Sequence, residues 1–89
     1  VKIVFSDNAR EDYLWWQSPG HEKELARIDT LIKAAARTPF KGPGKLDPLK
    51  GDLRGWWSRR ITDEHRFVYR ISGKGDEQSL QIAQLRYHY

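Results

Sequence analysis

The chain has 89 residues, a formal net charge of +4 and neither Cys nor Met; its isoelectric point lies near 9.6. That length holds one modest core and excludes two independent domains, so residues 1–89 are read as a single domain. Without Cys there is no disulfide, no thiolate nucleophile and no Cys-ligated metal centre. No apolar run approaches the roughly 20 residues that span a bilayer, and no signal-peptide pattern opens the chain. The expectation is a soluble cytoplasmic domain, its numbering starting just after an initiator Met.

In chain order, residues 1–6 read as a short strand, with Val4 and Phe5 apolar and β-prone. Ser6 or Asp7 suits a helix N-cap, and Glu11 and Asp12 fall in the first turns, where the helix dipole favours acids. Ala9, Tyr13 and Trp16 then recur on one helical face, and Ser18-Pro19-Gly20 punctuates. Residues 21–37 form a second helix with Leu25, Ile28, Leu31, Ile32 and Ala35 inward. Residues 38–50, with Pro39, Gly42, Pro43, Gly44 and Pro48, read as a loop that is long for so small a domain. Residues 55–62, 66–72 and 80–87 read as strands, the last two joined by a turn at Gly73-Lys74-Gly75-Asp76. Phe67, Tyr69 and Ile71 share one face of their strand, and Arg66, Val68 and Arg70 share the other; Ala83, Leu85 and Tyr87 alternate with Ile82, Gln84, Arg86 and His88. The fold class is α+β, two helices packed on one face of a small, mainly antiparallel sheet.

The charge is uneven. Residues 1–36 hold five Lys/Arg against six acids, whereas residues 37–66 hold eight Lys/Arg against four acids. A basic cluster of this kind is the electrostatic footprint of a phosphate-bearing partner or a merely solvated face. Gly42-x-Gly44-Lys45 is not a P-loop: Pro39 stands where its first Gly belongs and Leu46 where Ser/Thr would bind magnesium. His21, His65 and His88 lack metal-ligand spacing, so neither metal nor cofactor is expected. RNA cleavage by acid–base chemistry needs a group to take the 2′-hydroxyl proton, cations for the phosphorane and a proton for the departing 5′-oxygen. Asp47 is the one acid of the 38–50 loop; Lys50, Arg59, Arg60 and Arg66 offer cations; His88 offers an imidazole, the usual proton donor of acid–base catalysis; and Trp56, Trp57, Tyr87 and Tyr89 offer faces for unpaired bases. Each also has a plainer role: Asp47 before Pro48 as a turn residue, one of Trp56 and Trp57 as core, Arg59 and Arg60 as solvated surface, His65 as a structural or exposed residue of a turn.

Asp12-Tyr13-Leu14-x-Trp16-Gln17, Thr38-Pro39-Phe40-x-Gly42-x-Gly44-Lys45, Pro48-Leu49-Lys50, Gly55-x-Trp57-Ser58-Arg59-Arg60-Ile61-Thr62-x-Glu64-His65-Arg66-x-Val68-Tyr69 and the closing Arg86-Tyr87-His88-Tyr89 together resemble the YoeB toxins of the RelE superfamily, from the first strand to the last residue. The resemblance implies a RelE-like microbial ribonuclease fold and a type II toxin that cleaves mRNA in the A site of the 30S ribosomal subunit. It also implies a cognate YefM-like antitoxin, a homodimer, and operator DNA reached only through the antitoxin complex. Carried over residue by residue, the general base falls on Asp47, where the family has Glu. The transition-state Arg falls on Arg66, the general acid on His88 and the terminal Tyr on Tyr89, while Lys50 and Arg60 match basic residues lining the site. Asp is one methylene shorter than Glu, which predicts a slower or differently selective enzyme. The alternative is a ribosome or RNA binder with a degenerate, non-cleaving site; a third reading is an interaction module whose basic face docks an acidic antitoxin tail. For His88 and Tyr89 to reach one phosphate, the last residues must bend off the sheet.

Overall fold

In the computed structural model, which describes residues 1–88, the chain runs β1 (Lys2–Phe5), α1 (Asp7–Trp16), α2 (Glu22–Arg37), β2 (Asp47–Pro48), β3 (Trp57–Arg60), β4 (Arg66–Ser72) and β5 (Ser79–Gln84). The sheet order is β1-β5-β4-β3-β2. The helices carry the chain from one edge strand across to the sheet, so β1 lies parallel to β5 while every other pairing is antiparallel. Ser6 caps α1 as expected: its Oγ accepts from the Ala9 amide at 3.0 Å and donates to the Ala83 carbonyl at 3.0 Å.

Both helices lie on one face of the sheet. Ala9 and Trp16 from α1 and Ile28, Leu31, Ile32 and Ala35 from α2 pack on Phe67, Tyr69, Leu80, Ile82 and Leu85. The two helical stripes are those the sequence predicts. Of the tryptophan pair, Trp57 joins the core and Trp56 lies on the other face.

Three expectations are corrected. The 38–50 loop is not all loop: Asp47–Pro48 pair with β3 as a two-residue edge strand, a position that tolerates Pro because no N–H is needed on the outer side. The last strand stops at Gln84 rather than residue 87, because Tyr69 pairs with Ile82 and Val68 with Gln84, leaving Ala83 as an extra residue. That bulge resets the alternation, so Ile82 and Leu85 both reach the core although strict alternation sets them on opposite faces.

The third correction is Arg59. It is 0% exposed, not a solvated or RNA-facing cation. It points from β3 into the helix side, where Nε donates to the Tyr69 hydroxyl at 3.1 Å. Nη1 donates to the Pro43 carbonyl at 3.1 Å, and Nη2 to the carbonyls of Thr38 at 2.8 Å and Lys41 at 3.0 Å. The Tyr69 hydroxyl in turn donates to the Pro39 carbonyl. Burial raises the Tyr69 pKa above its ordinary 10.0 against the opposing pull of Arg59, so the phenol keeps the proton it donates. The Pro/Gly loop is therefore stapled to the sheet through its own carbonyls. Gly44 completes the staple: at φ +94 a Cβ would stand 2.9 Å from Leu31 Cδ2 and 3.2 Å from Arg59 Cβ.

Arg59→Leu leaves these acceptors buried and unpaired, so it is expected to cost on the order of 3 kcal/mol, lowering Tm by more than about 10 °C for a domain of this size. Arg59→Lys, with three donors on one nitrogen, is expected to recover only part of the loss. Thermal unfolding followed by circular dichroism reads both; an unchanged Tm in Arg59→Leu contradicts the staple.

Candidate active site

Register decides which side chains share the face away from the helices. Asp47 pairs with Ser58, Ser58 with Val68, and Val68 with Gln84, so these four form one row across β2, β3, β4 and β5. Arg60 and Arg66 pair with each other in the next row of that same face. Two strand spacings and two residues separate Asp47 from Arg66, or about 12 Å between their Cα atoms. A short Asp and a long Arg side chain facing each other across that separation leave room for a phosphate group. Leu49, Ser58 and Val68 are buried but stand apart from the helix-side core, giving this face a partly apolar floor.

Among the described residues, Arg66 is anchored through Nη1. Its Nη1 donates to the carbonyls of Thr62 at 2.6 Å, His65 at 3.0 Å and Asp63 at 3.2 Å, which line the β3–β4 turn. Nε and Nη2 have no protein acceptor among the described residues, so one edge of a fixed, planar fork remains for an anion. Arg60 lies beside Asp63, with Nη1 and Oδ1 3.6 Å apart. The turn itself is tied to α2, as Arg27 donates to the Ile61 carbonyl at 2.9 Å and to the Arg60 carbonyl at 3.0 Å. Lys50 is exposed just past β2.

The C-terminal segment leaves the strand after Gln84, as expected, and runs beside the backbone of Arg66. Residues 85–87 are bends, and Tyr87 has φ 63, a left-handed conformation that costs a non-glycine residue roughly 1 kcal/mol or more. The segment is held at several points. Asp12 is buried, not a dipole-facing surface acid, and its Oδ2 accepts the Leu85 amide at 3.0 Å. Trp16 Nε1 donates to the Leu85 carbonyl at 2.8 Å, and Gln84 Nε2 donates to the Arg86 carbonyl at 2.9 Å. The Arg66 amide donates to the Tyr87 carbonyl at 3.1 Å. His88, exposed, therefore begins one peptide from the Arg66 backbone. Tyr89, which the resemblance places in the site, lies outside the described residues.

Thus Asp47, Arg60, Arg66 and Lys50 gather on or beside one sheet face with His88 at its end, and Arg59 is withdrawn from it. Ser58 and the anchors Asp12, Trp16 and Gln84 escaped the sequence reading. Ala9, Asp12 and Trp16 fall at i, i+3 and i+7, so an acid on the buried stripe of α1 was the available signal for two of them. Among the described residues no group of three His, Asp or Glu side chains is placed to hold a metal ion.

Two helices packed on one face of a small mixed sheet, with basic side chains and a carboxylate on the other, is the α+β fold of the RelE-like class of toxins. The family model for the YoeB-like toxin of bacterial type II toxin-antitoxin systems matches residues 5–89. The chain is 47% identical to Toxin YoeB of Escherichia coli K12 over 100% of both chains. It superimposes on the YoeB/ParE toxin of Agrobacterium tumefaciens with a TM-score of 0.95, at 52% identity and with both chains fully covered. Staphylococcus aureus YoeB, solved in a heterotetrameric complex with YefM, gives 0.84 at 39% identity, covering 100% of this chain and 98% of that one. The chain belongs to the YoeB toxin family.

Asp12→Ala leaves the buried Leu85 amide unpaired and is expected to cost roughly 1–3 kcal/mol. Urea titration checks the stability, and amide exchange at Leu85 checks the cause. Unaltered Leu85 protection contradicts the assigned bond.

Proposed function

We propose that this toxin is a ribosome-dependent endoribonuclease that cuts mRNA in the A site and so stops translation. The observation that carries the reading is the shared face: Asp47, Arg60 and Arg66 on one side of the sheet, with His88 delivered beside Arg66 by the Tyr87 carbonyl.

In this mechanism Asp47 takes the proton of the 2′-hydroxyl and the 2′-oxygen attacks the adjacent phosphorus. Arg66 forks onto the phosphorane oxygens through Nε and Nη2, with Lys50 and Arg60 adding positive charge. The bond from phosphorus to the 5′-oxygen breaks as His88 donates its proton to that oxygen, leaving a 2′,3′-cyclic phosphate and a 5′-hydroxyl. Tyr89, which matches the family's terminal Tyr, orients the substrate or the acid. The chemistry uses only side chains, with no cofactor or metal. An exposed, shallow face does not by itself align a flexible RNA, which accounts for needing the 30S A site as the second wall of the active site. The cation-rich face also suits capture by an acidic segment of a YefM-like antitoxin, and operator DNA would be reached through that complex. The S. aureus relative is known as a dimer, and a homodimer is proposed here too. A cytoplasmic location follows from a ribosomal target.

The test is to add the protein to programmed ribosomes and map mRNA ends. Arg66→Ala and His88→Ala are each expected to slow cutting by about a hundredfold or more. Asp47→Glu, which restores the family's reach, is expected to speed it, by up to about a hundredfold if the carboxylate now sits about 1 Å short. Cutting at the wild-type rate in both alanine variants overturns the roles; halted translation on intact mRNA replaces the enzyme by an A-site blocker.

A further inference from the structure

His65 takes no part in the chemistry above, yet it sits at the join between the β3–β4 turn and the C-terminal segment. The Tyr87 amide donates to His65 Nδ1 at 2.8 Å. A backbone amide can only donate, so this nitrogen must carry no proton. The ring is wedged edge-on against Trp16, with centroids 5.0 Å apart and planes at 87°, and lies 5.7 Å from the Tyr87 ring. Trp16 itself donates to the Leu85 carbonyl, so the imidazole is packed by the same residue that clamps the segment. Across the Tyr87 Cα, the Arg66 amide donates to the Tyr87 carbonyl. His65 and Arg66, neighbours in sequence, thus grip the N–H and C=O of one residue held at positive φ, the residue before His88.

We propose that His65 is a positioning residue: its unprotonated Nδ1 holds the Tyr87 amide and thereby sets His88 against Arg66, a grip that exists only while the imidazole is neutral. The proposal rests on the acid role given to His88 above. Protonating Nδ1 turns the acceptor into a donor facing a donor, and the left-handed Tyr87 loses the bond that offsets its conformational cost.

The surroundings favour the neutral ring. Burial, the largest influence, lowers the His65 pKa below its ordinary 6.5; Arg86 from the C-terminal segment and the adjacent Arg66 act the same way, while Glu64 and Asp12 of α1 oppose them. A folded pKa below the released one means the released segment binds the proton first. The grip is therefore complete above the ordinary value and weakens as pH falls below it.

Two variants and two readouts decide the matter. His65→Asn supplies an amide oxygen near the place of Nδ1 and does not titrate; His65→Phe keeps an aromatic wedge against Trp16 with no acceptor. On programmed ribosomes, His65→Phe is expected to lose about tenfold or more in kcat with little change in KM. His65→Asn is expected to stay near wild type and to remove the inhibition expected of wild type as pH falls below the ordinary histidine value of 6.5. In nuclear magnetic resonance of the full chain, the Tyr87 amide is expected to be protected in wild type at pH 7.5 and in His65→Asn at any pH. It should lose protection in His65→Phe at any pH and in wild type at pH 5. Equal kcat in wild type and His65→Phe, or equal Tyr87 protection in the two, overturns the proposal. If wild type leaves mRNA intact the cleavage reading falls, and with it the assignment of His65 to positioning an acid; Tyr87 protection then reports whether the bond alone exists.

Discussion

A buried guanidinium with no carboxylate beside it among the described residues sets the shape of this molecule. Removing a cation from water is costly, and Arg59 recovers that cost only by filling its donor positions with fixed acceptors. The Pro/Gly loop supplies them: Thr38, Lys41 and Pro43 turn their carbonyls on the guanidinium, and Tyr69 adds its hydroxyl. Proline is apt here because it retains an acceptor and gives up a donor. With the loop stapled, the chain arrives at β3 in the register that sets Asp47 opposite Ser58, on the far face of the sheet from Arg59. The most buried cation of the basic run thus sets the place of the acid.

The other half of the site depends on a different set of bonds. The Ala83 bulge ends regular pairing, and its carbonyl is taken by Ser6 at the cap of α1. Beyond it, Asp12 and Trp16 of the same helix hold the backbone of Leu85, and Gln84, His65 and Arg66 hold residues 86 and 87. α1 thereby spans both ends of the bulge. A short helix with few inward apolar residues earns its place by hydrogen bonds to β5 and the segment after it, more than by area. The candidate site is then a composite: a stapled loop at one edge, a tethered C-terminal segment at the other, and the Arg66 fork between them.

Much of the fold was legible because both helices carry their stripes openly and β4 is bounded by Arg66 and Ser72 as the pattern suggests. What the sequence hid was two-dimensional. A bulge adds one residue to β5 without any local mark, and everything after it changes face, which is why Leu85 was misplaced. Arg59 and Arg60 are adjacent and chemically identical, so only the strand phase relative to Tyr69 separates a staple from a surface cation. Asp47, Arg66 and His88 are candidates on residue chemistry alone; the resemblance assigns their roles, and the register sets Asp47 and Arg66 on one face. Asp12 was read as a dipole partner because the acid-rich first turns offered that plain explanation, while its position on the Ala9–Trp16 stripe pointed to burial.

The central claim is that this face breaks RNA by attack of the neighbouring 2′-oxygen, with side chains alone moving the protons. The chemistry of the cut ends tests it most directly. Fragments from programmed ribosomes should carry a 2′,3′-cyclic phosphate, or the 3′-phosphate that forms from it, on the upstream piece and a 5′-hydroxyl on the downstream piece. A substrate with 2′-deoxyribose at the scissile position should stay whole. A 5′-phosphate on the downstream piece, or cleavage of the deoxy substrate, would contradict the account.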